Sequence, residues 1–270
     1  MNDIVLKIMF KLGDIINSKT RKVEMNEGRH NRAKLGFILM STDLAGESDF
    51  FDIVPKDVAI HITRLKTDDY TTNETLSKHI EHMADAASRI QPDVKPNVIS
   101  YSCTSGSIVI GEEKIMAEIK KGAPYAIPMT LVTGVVDALR ELQIKKIVIG
   151  TPYLDEINTK EAEFFHNKGF EIINIQGLNL TTGIEFGRVT PEYWKKFALE
   201  IDDKDADAIF LSCGGIRSVE VIQEIENITG KPVITSNQAQ VWSCLRKAGI
   251  KDNIQGFGQI FNYAGDSFIK

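Results

Sequence analysis

The chain is poor in cysteine, proline and tryptophan, with three, eight and two of them in 270 residues. Three cysteines are an odd number, and no two stand in a CxxC pair or at a metal-type spacing. The sequence therefore argues against both a disulfide framework and a structural zinc site. Basic residues are not in surplus either: 32 Lys and Arg face 37 Asp and Glu, a net charge of -5 that argues against a broad nucleic-acid footprint. No apolar run approaches the ~20 residues of a membrane span, so no membrane partner is expected. HExxH, P-loop and recognisable imine-lysine motifs are all missing, and the reading is of a protein with no metal and no cofactor. The single GxG, at Gly256 and Gly258, lacks the strand, helix and acidic partner of a dinucleotide site.

What is present is ordinary for a globular protein: 43% hydrophobic and 26% charged residues, enough for one large domain or two smaller ones. Met1 to Ile16 has apolar residues at helical spacing, but no basic start and no uninterrupted apolar stretch of a signal peptide. Residues 1–33 read as an appended helix and polar linker, suited to building a homo-oligomer. Reduced thiols fit a cytoplasmic protein.

From Lys34 onward, strand and helix patterns alternate. Apolar runs at Leu35–Met40, Val58–Leu65, Asn97–Cys103 and Tyr125–Met129 read as strands. A helix is expected over Thr71–Ile90, capped by Thr72 or Asn73, with others at Glu112–Lys121 and Val132–Leu142. The order then repeats. Strands are expected at Lys146–Gly150, Phe170–Ile175, Ala208–Ser212 and Val233–Thr235, with helices at Asp155–Lys168, Pro191–Ile201, Val219–Thr229 and Ala239–Ala248. Such alternation implies parallel sheets in an α/β fold. Leu139-Arg140 recurs as Leu245-Arg246, a shift of 245 − 139 = 106, and Cys103 recurs as Cys213, a shift of 213 − 103 = 110. The near-constant offset indicates an internal duplication. The expected architecture is two similar Rossmann-like lobes, 34–145 and 146–270, related by a pseudo-two-fold axis. The active site lies between them, and the C-terminal tail is free to return to lobe 1.

Two stretches organise this plan: Asn97-Val-Ile-Ser-Tyr-Ser-Cys103-Thr-Ser-Gly-Ser107 and Asp207-Ala-Ile-Phe-Leu-Ser-Cys213-Gly-Gly215. Each is a strand ending in a cysteine with a helix expected beyond it, an environment of unpaired N–H groups that lowers a thiol pKa. Functional edges of parallel sheets are the carboxyl ends of the strands, so facing lobes would aim both thiols at one cleft. Opposed thiols can take a proton from one face of a carbon and return one from the other, or one can add covalently while the other protonates. The backbone N–H groups of Thr104, Ser105, Gly214 and Gly215 and the hydroxyls of Thr104 and Ser105 suit a developing oxyanion. A free cysteine at a strand end can equally be a small buried hydrophobe, the role expected of Cys244. Tyr153 borders the same cleft or is a half-buried loop tyrosine. Thr42, with Ser41 and Asp43, occupies the equivalent edge of lobe 1, where helix capping explains Thr42 or Asp43 equally well. Arg188 and Arg217 suit either a substrate carboxylate or surface ion pairs, and His79 and His82 read as solvated surface.

The run CTSGS at Cys103–Ser107, TPYLDEIN at Thr151–Asn158, the segment Gly177–Val189 and SCGGI at Ser212–Ile216 together resemble the aspartate/glutamate racemase superfamily. Within it the chain is similar to the maleate isomerase and arylmalonate decarboxylase branch. The resemblance implies a two-lobed, cofactor-independent isomerase or racemase of a small carboxylate. Cys213 would be the shared catalytic thiol, Cys103 the second thiol of isomerases and racemases, and Thr104, Ser105, Tyr153, Gly214 and Gly215 the carboxylate donors. Decarboxylases of the branch carry glycine in place of Cys103. An arylmalonate-type decarboxylase with Cys213 as proton donor and a non-catalytic carboxylate-binding protein are the alternatives. Ser41-Thr42-Asp43 lacks the asparagine of maleate isomerases, and Gly183 stands near their second. That loop is more similar to isomerase-like proteins of ectoine-utilisation operons.

Overall fold

The structure, a computed structural model, describes residues 18–26, 28, 30–90 and 93–267. The helix expected over the first sixteen residues lies outside them. Lobe 1 runs β1 (Ala33–Met40), α1 (Gly46–Ile53), β2 (Val58–Leu65), α2 (Asn73–Ser77), a 3-10 turn (Lys78–His82), α3 (Met83–Ser88), β3 (Val98–Tyr101), α4 (Thr104–Ile110), α5 (Glu112–Gly122), β4 (Ile127–Thr130) and α6 (Leu131–Glu141). Lobe 2 follows with β5 (Lys146–Thr151), α7 (Asp155–Asn167), β6 (Glu171–Gly177), α8 (Gly183–Arg188), α9 (Pro191–Ile201), β7 (Ala208–Leu211), a 3-10 turn (Val219–Val221), α10 (Ile222–Thr229), β8 (Val233–Thr235) and α11 (Ser236–Lys247).

Among the described residues the strands form two four-stranded sheets, ordered β2-β1-β3-β4 and β6-β5-β7-β8. Every pair is parallel. The lobes therefore share one topology, and the offset between equivalent strands drifts from 146 − 33 = 113 through 208 − 98 = 110 to 233 − 127 = 106. Strands covered on both faces read as continuous apolar runs, which is why Ala208–Leu211 and Val98–Tyr101 are wholly buried.

Each lobe ends on a strand that turns directly into a helix through a threonine cap. Thr130 accepts from Thr133 N and Thr235 from Gln238 N, and each N3 side chain reaches back to its cap. The two helices begun this way, α6 and α11, are equivalents that cross at the lobe junction. A methyl group on Gly134 would lie 2.8 Å from Gln240 Cα and 2.9 Å from Ala239 O. The caps of the two helices differ by 235 − 130 = 105, so Ala239 is the counterpart of Gly134 and the crossing pairs equivalent positions of the two lobes. One apolar core runs through this junction from Leu35 and Phe37 of β1, past Leu131 and Val135, to Ile149, Phe210 and Trp242. The lobes thus share a core.

Three elements depart from the sequence reading. The helix expected over Thr71–Ile90 is broken into α2, a 3-10 turn and α3, with Thr72 as its cap. Ser77 Oγ donates to Asn73 O at 2.6 Å, competing with the helical ladder at the break. Helix α4, directly after Cys103, is an addition to the expected elements, and the helix expected at Glu112–Lys121 is present as α5. The Thr-Ser-Gly-Ser-Ile-Val-Ile run of α4 has weak helical propensity and is held by tertiary contacts. Beyond Cys213 no α-helix begins until Ile222, because Gly214 to Ser218 form a turn.

The tail packs around Arg246, 1% exposed, whose guanidinium donates to the carbonyls of Ile250 (2.8 Å), Tyr263 (2.9 Å), Asp252 (3.0 Å) and Phe261 (3.2 Å). It reaches α6, where Gly265 N donates to Glu141 at 3.1 Å. Among the described residues no helix is long and apolar enough to cross a membrane. Because the α6–α11 crossing has no room for a side chain, Gly134→Ala is expected to cost about 1–3 kcal/mol in chemical denaturation. A loss below roughly 0.5 kcal/mol, the range of ordinary surface substitutions, would show that the helices part freely.

Candidate active site

Strands β3 and β7 stop two residues before Cys103 and Cys213, and both cysteines line one small cavity between the lobes. Thr42, Thr104, Ser105, Tyr153, Gly214 and Gly215 line the same cavity. Its rim is bridged from both lobes: Thr71 N donates to Thr181 O at 3.0 Å, and Gly183 N to Asp69 O at 3.2 Å.

The thiols are presented differently. Cys103 caps α4 in extended backbone, φ -141°, and its Sγ accepts from Gly106 N at 3.3 Å. Ser107 Oγ donates to Cys103 O at 2.5 Å and locks that turn. Cys213 has φ 140°, a region that essentially only glycine occupies without strain. Its Sγ accepts from Gly215 N at 3.3 Å, and its own N–H donates to Ser236 Oγ at 2.9 Å. The turn after it is held by Asn237, whose Nδ2 donates to Gly214 O and to Asp49 Oδ2, both at 2.7 Å.

Ser236 also faces Thr104, Oγ to Oγ1 at 2.9 Å, so the Thr104 hydroxyl is engaged across the lobe junction. Ser105 Oγ lies 3.7 Å from Cys103 Sγ. The Thr-Pro-Tyr turn is built by its own motif: Thr151 Oγ1 donates to Asn158 Oδ1 at 2.6 Å and accepts from Tyr153 N at 3.1 Å. Tyr153 is buried, its ring edge-on to Phe186 with centroids 5.6 Å apart, and it lines the cavity with Cys213.

The expectation of lowered thiol pKa values is overturned. Burial pushes Cys213 up to about 12, only partly offset by the Tyr153 hydroxyl and the Gly215 N–H. Burial also raises Cys103, against the Gly106 N–H and the Ser105 and Tyr101 hydroxyls. Desolvating a thiolate outweighs a few donors in a cleft this closed, so both cysteines rest as thiols.

Asp43 turns the end of β1 into α1 by accepting from Ala45 N (3.0 Å) and Gly46 N (2.7 Å), and burial raises its carboxyl to about 6. Arg217 pairs with Glu220 at 2.9 Å, and neither it nor Arg188 borders this cavity. Asp43, Asp68 and Asp69 line the cavity, and no Lys or Arg among the described residues does; Arg64 Nη1 reaches the carbonyls of the lining residues Met40 and Asp43, both at 3.0 Å. Cys244 is buried, its Sγ 3.8 Å from Met129 Sδ, as expected of a packing residue.

His79 reverses its sequence reading, being 2% exposed and on the cavity wall. An i,i+3 histidine pair carries no mark of which member turns inward; His82 is the exposed one. Ser236, Asn237 and Asp49 were also missed. The polar run opening α11 at a strand end was the signal available for the first two.

Two facing α/β lobes with one cysteine from each at a shared cleft define the class, a two-lobed cysteine enzyme fold. Residues 58–261 match the family model for arylmalonate decarboxylase, and the chain belongs to that family. The arylmalonate decarboxylase of Bordetella bronchiseptica is 28% identical over 71% of this chain and 81% of its own length. The maleate isomerase of Geobacillus stearothermophilus is 23% identical over 85% of this chain and 97% of its own. A cysteine-to-serine mutant of Nocardia farcinica maleate cis-trans isomerase, solved with a covalently bound succinylcysteine intermediate, superposes with a TM-score of 0.79 at 20% identity, covering 85% of this chain and 98% of its own. The relatives are isomerases and a decarboxylase of one family.

The backbone at Cys213 reverses the usual order of small residues. Glycine normally destabilises relative to alanine by about 0.5–1 kcal/mol; at φ 140° Cys213→Gly is expected to melt above Cys213→Ala. The ordinary order in calorimetry would refute the strain.

Burial raises the Asp49 carboxyl to about 8, with the Asn237 amide only partly offsetting it. The folded chain therefore keeps a proton that the unfolded chain releases near pH ~4. Asp49's stabilising contribution is complete below that pH and is lost as pH rises through about 8. Asp49→Asn is expected to melt like the parent near pH 4 and above it at pH 8.5. Parallel pH profiles for the two proteins would refute this.

Proposed function

We propose that the chain is a two-thiol isomerase acting on a carbon adjacent to a carboxylate. The observation that carries this reading is that Cys103 and Cys213 leave equivalent strand ends of opposite lobes and line a single cavity. One thiol, deprotonated on substrate binding, removes the proton from one face; the other, kept protonated by burial, delivers one to the opposite face. Ser105, Tyr153 and the Gly214-Gly215 turn hold the carboxylate with neutral donors. A cis-trans version, in which one thiolate adds to a double bond, is supported by the succinylcysteine of the Nocardia relative.

The lining favours racemisation. Among the described residues the lining holds Asp43, Asp68 and Asp69 and no Lys or Arg, and the cation next to Asp43, Arg64, is taken up by Glu47 and by the Met40 and Asp43 carbonyls; this disfavours a dianion such as maleate or an arylmalonate. The same lining favours a substrate whose single carboxylate is accompanied by an ammonium or other cationic group. Decarboxylation with Cys213 as proton donor is the second reading, favoured by the family model and the Bordetella relative.

Incubation in deuterated water with amino acids, N-acyl diamino acids, maleate and arylmalonates, followed by NMR, tests this. Deuterium is expected at the stereocentre of a cationic amino-acid substrate, and each of Cys103→Ser and Cys213→Ser is expected to slow it by about 10²-fold or more. Maleate turnover without such exchange would select the cis-trans version, and carbon dioxide release the decarboxylase. Full activity of Cys103→Ser on the turned-over substrate would end the two-thiol mechanism.

A further inference from the structure

Cys103 and Cys213 each accept a backbone N–H on sulfur, both at 3.3 Å, but the two donors are fixed by different means. In lobe 1 the donor is Gly106 N, in the first turn of α4, and the helix itself holds its direction. In lobe 2 no α-helix follows Cys213 directly, and the donor is Gly215 N, in the turn from Gly214 to Ser218. The peptide that carries this N–H joins two glycines, so no Cβ on either side restricts how its plane is turned. Its direction has to come from elsewhere.

Asn237 supplies it. A peptide unit is planar and trans, so its C=O and N–H point opposite ways, and fixing one fixes the other. Asn237 Nδ2 donates to Gly214 O at 2.7 Å, on the far side of the peptide whose N–H points at the Cys213 sulfur. The second proton of the same nitrogen goes to Asp49 Oδ2, also at 2.7 Å, so a side chain of lobe 1 pins the rotation of the amide. Asn237 Oδ1 is left buried with no partner, 3.1 Å from where a methyl on Gly214 would stand. An unpaired buried acceptor costs stability, so packing alone does not account for an amide here. At the offset of the helix caps, 235 − 130 = 105, the counterpart of Asn237 in lobe 1 is Val132, buried and apolar. The amide stands in the lobe where no helix follows the cysteine, and an apolar residue stands where one does.

We infer that Asn237 is the positioning residue of Cys213: it aims the Gly215 N–H at the sulfur, doing in lobe 2 what α4 does in lobe 1. It does not line the cavity and acts through the peptide alone. An N–H held on the sulfur favours the thiolate over the thiol, against the burial that raises Cys213. The groups that face this sulfur, Asp43 and Cys103 of lobe 1 and Tyr153 of lobe 2, are left in place by a substitution at Asn237. Because Asp49 holds the amide, the docking of lobe 1 reaches the thiol of lobe 2 through two hydrogen bonds. That the thiol so positioned takes part in turnover rests on the two-thiol reading above; the aiming of the N–H does not.

Iodoacetamide labelling, which follows the thiolate, tests this without any substrate. Peptide mass mapping separates Cys103 from Cys213 in the parent chain and in Asn237→Leu, which keeps the side-chain volume. At pH 7 the Asp49 carboxyl, raised to about 8 by burial, is protonated in both proteins, so no charge beside position 237 changes. Asn237→Leu is expected to slow Cys213 labelling by about tenfold, moving its pH profile up by about one unit, with Cys103 unchanged. Cys213 labelling within twofold of the parent in the folded variant would overturn the inference, as would equal slowing of both cysteines, the mark of a merely structural role. Should Asn237→Leu fail to fold, Asn237→Ala, which cannot clash, takes its place. Amide hydrogen exchange at Gly215, read by NMR after glycine-selective labelling of the parent, needs no variant: the N–H is expected to be protected, and exchange at the rate of an unstructured peptide would overturn the inference. Full activity of Cys213→Ser would end the two-thiol reading and leave the effect of Asn237 on labelling standing, so the two failures are distinguishable.

Discussion

The Ser236 hydroxyl is the point on which the site depends. It receives the Cys213 N–H from its own lobe and meets the Thr104 hydroxyl from the other, both at 2.9 Å. The backbones carrying the two thiols are thus tied to one oxygen at the start of α11. The same helix sends Gln240 Nε2 to Ser100 Oγ (2.6 Å) and Ser102 Oγ (2.9 Å), and Asn237 Nδ2 to Asp49 and Gly214. Each such bond adds only about 0.5–1.5 kcal/mol net, yet a buried polar group left unpaired costs about 1–3 kcal/mol. Buried amides and hydroxyls on α11 therefore select one docking of the lobes from the many that an apolar interface alone would tolerate.

That docking is permitted by Gly134 and made directional by polar contacts. The close α6–α11 crossing brings β3 and β7 to a common edge, and the rim bonds between Asp69, Thr71, Thr181 and Gly183 join the lobes at the opposite side of the cleft. Burial at the resulting cavity raises both thiols, so the resting site keeps its protons. Approximate symmetry brings the sulfurs together; departures from symmetry distinguish them. Cys103 caps a helix, whereas Cys213 sits on strained backbone before a turn.

Strand positions, parallel pairing and the repeat were legible in the sequence because they follow from periodicity and turn chemistry, which are local. The Thr-Pro-Tyr motif was legible for the same reason: Thr151, Tyr153 and Asn158 satisfy one another within eight residues. The eight expected site residues share a cavity because cysteines, glycines and hydroxyls at strand ends can be placed by topology alone. What could not be read is anything that depends on a partner far along the chain. Helix α4 forms against its propensity, and His79 turns inward because Tyr101 lies twenty-two residues away in sequence and within hydrogen-bond distance in space.

The sequence by itself thus determined two α/β repeats, two cysteines at equivalent strand ends and the small residues around them, since each of these is written in spacing. Only the tertiary structure decided the state of the thiols, the fate of the Thr104 hydroxyl and the burial of His79 against Tyr101. Burial, and the pairing of polar groups across the lobe junction, are properties of the assembled volume, and no local pattern encodes how deeply a given side chain will lie in it.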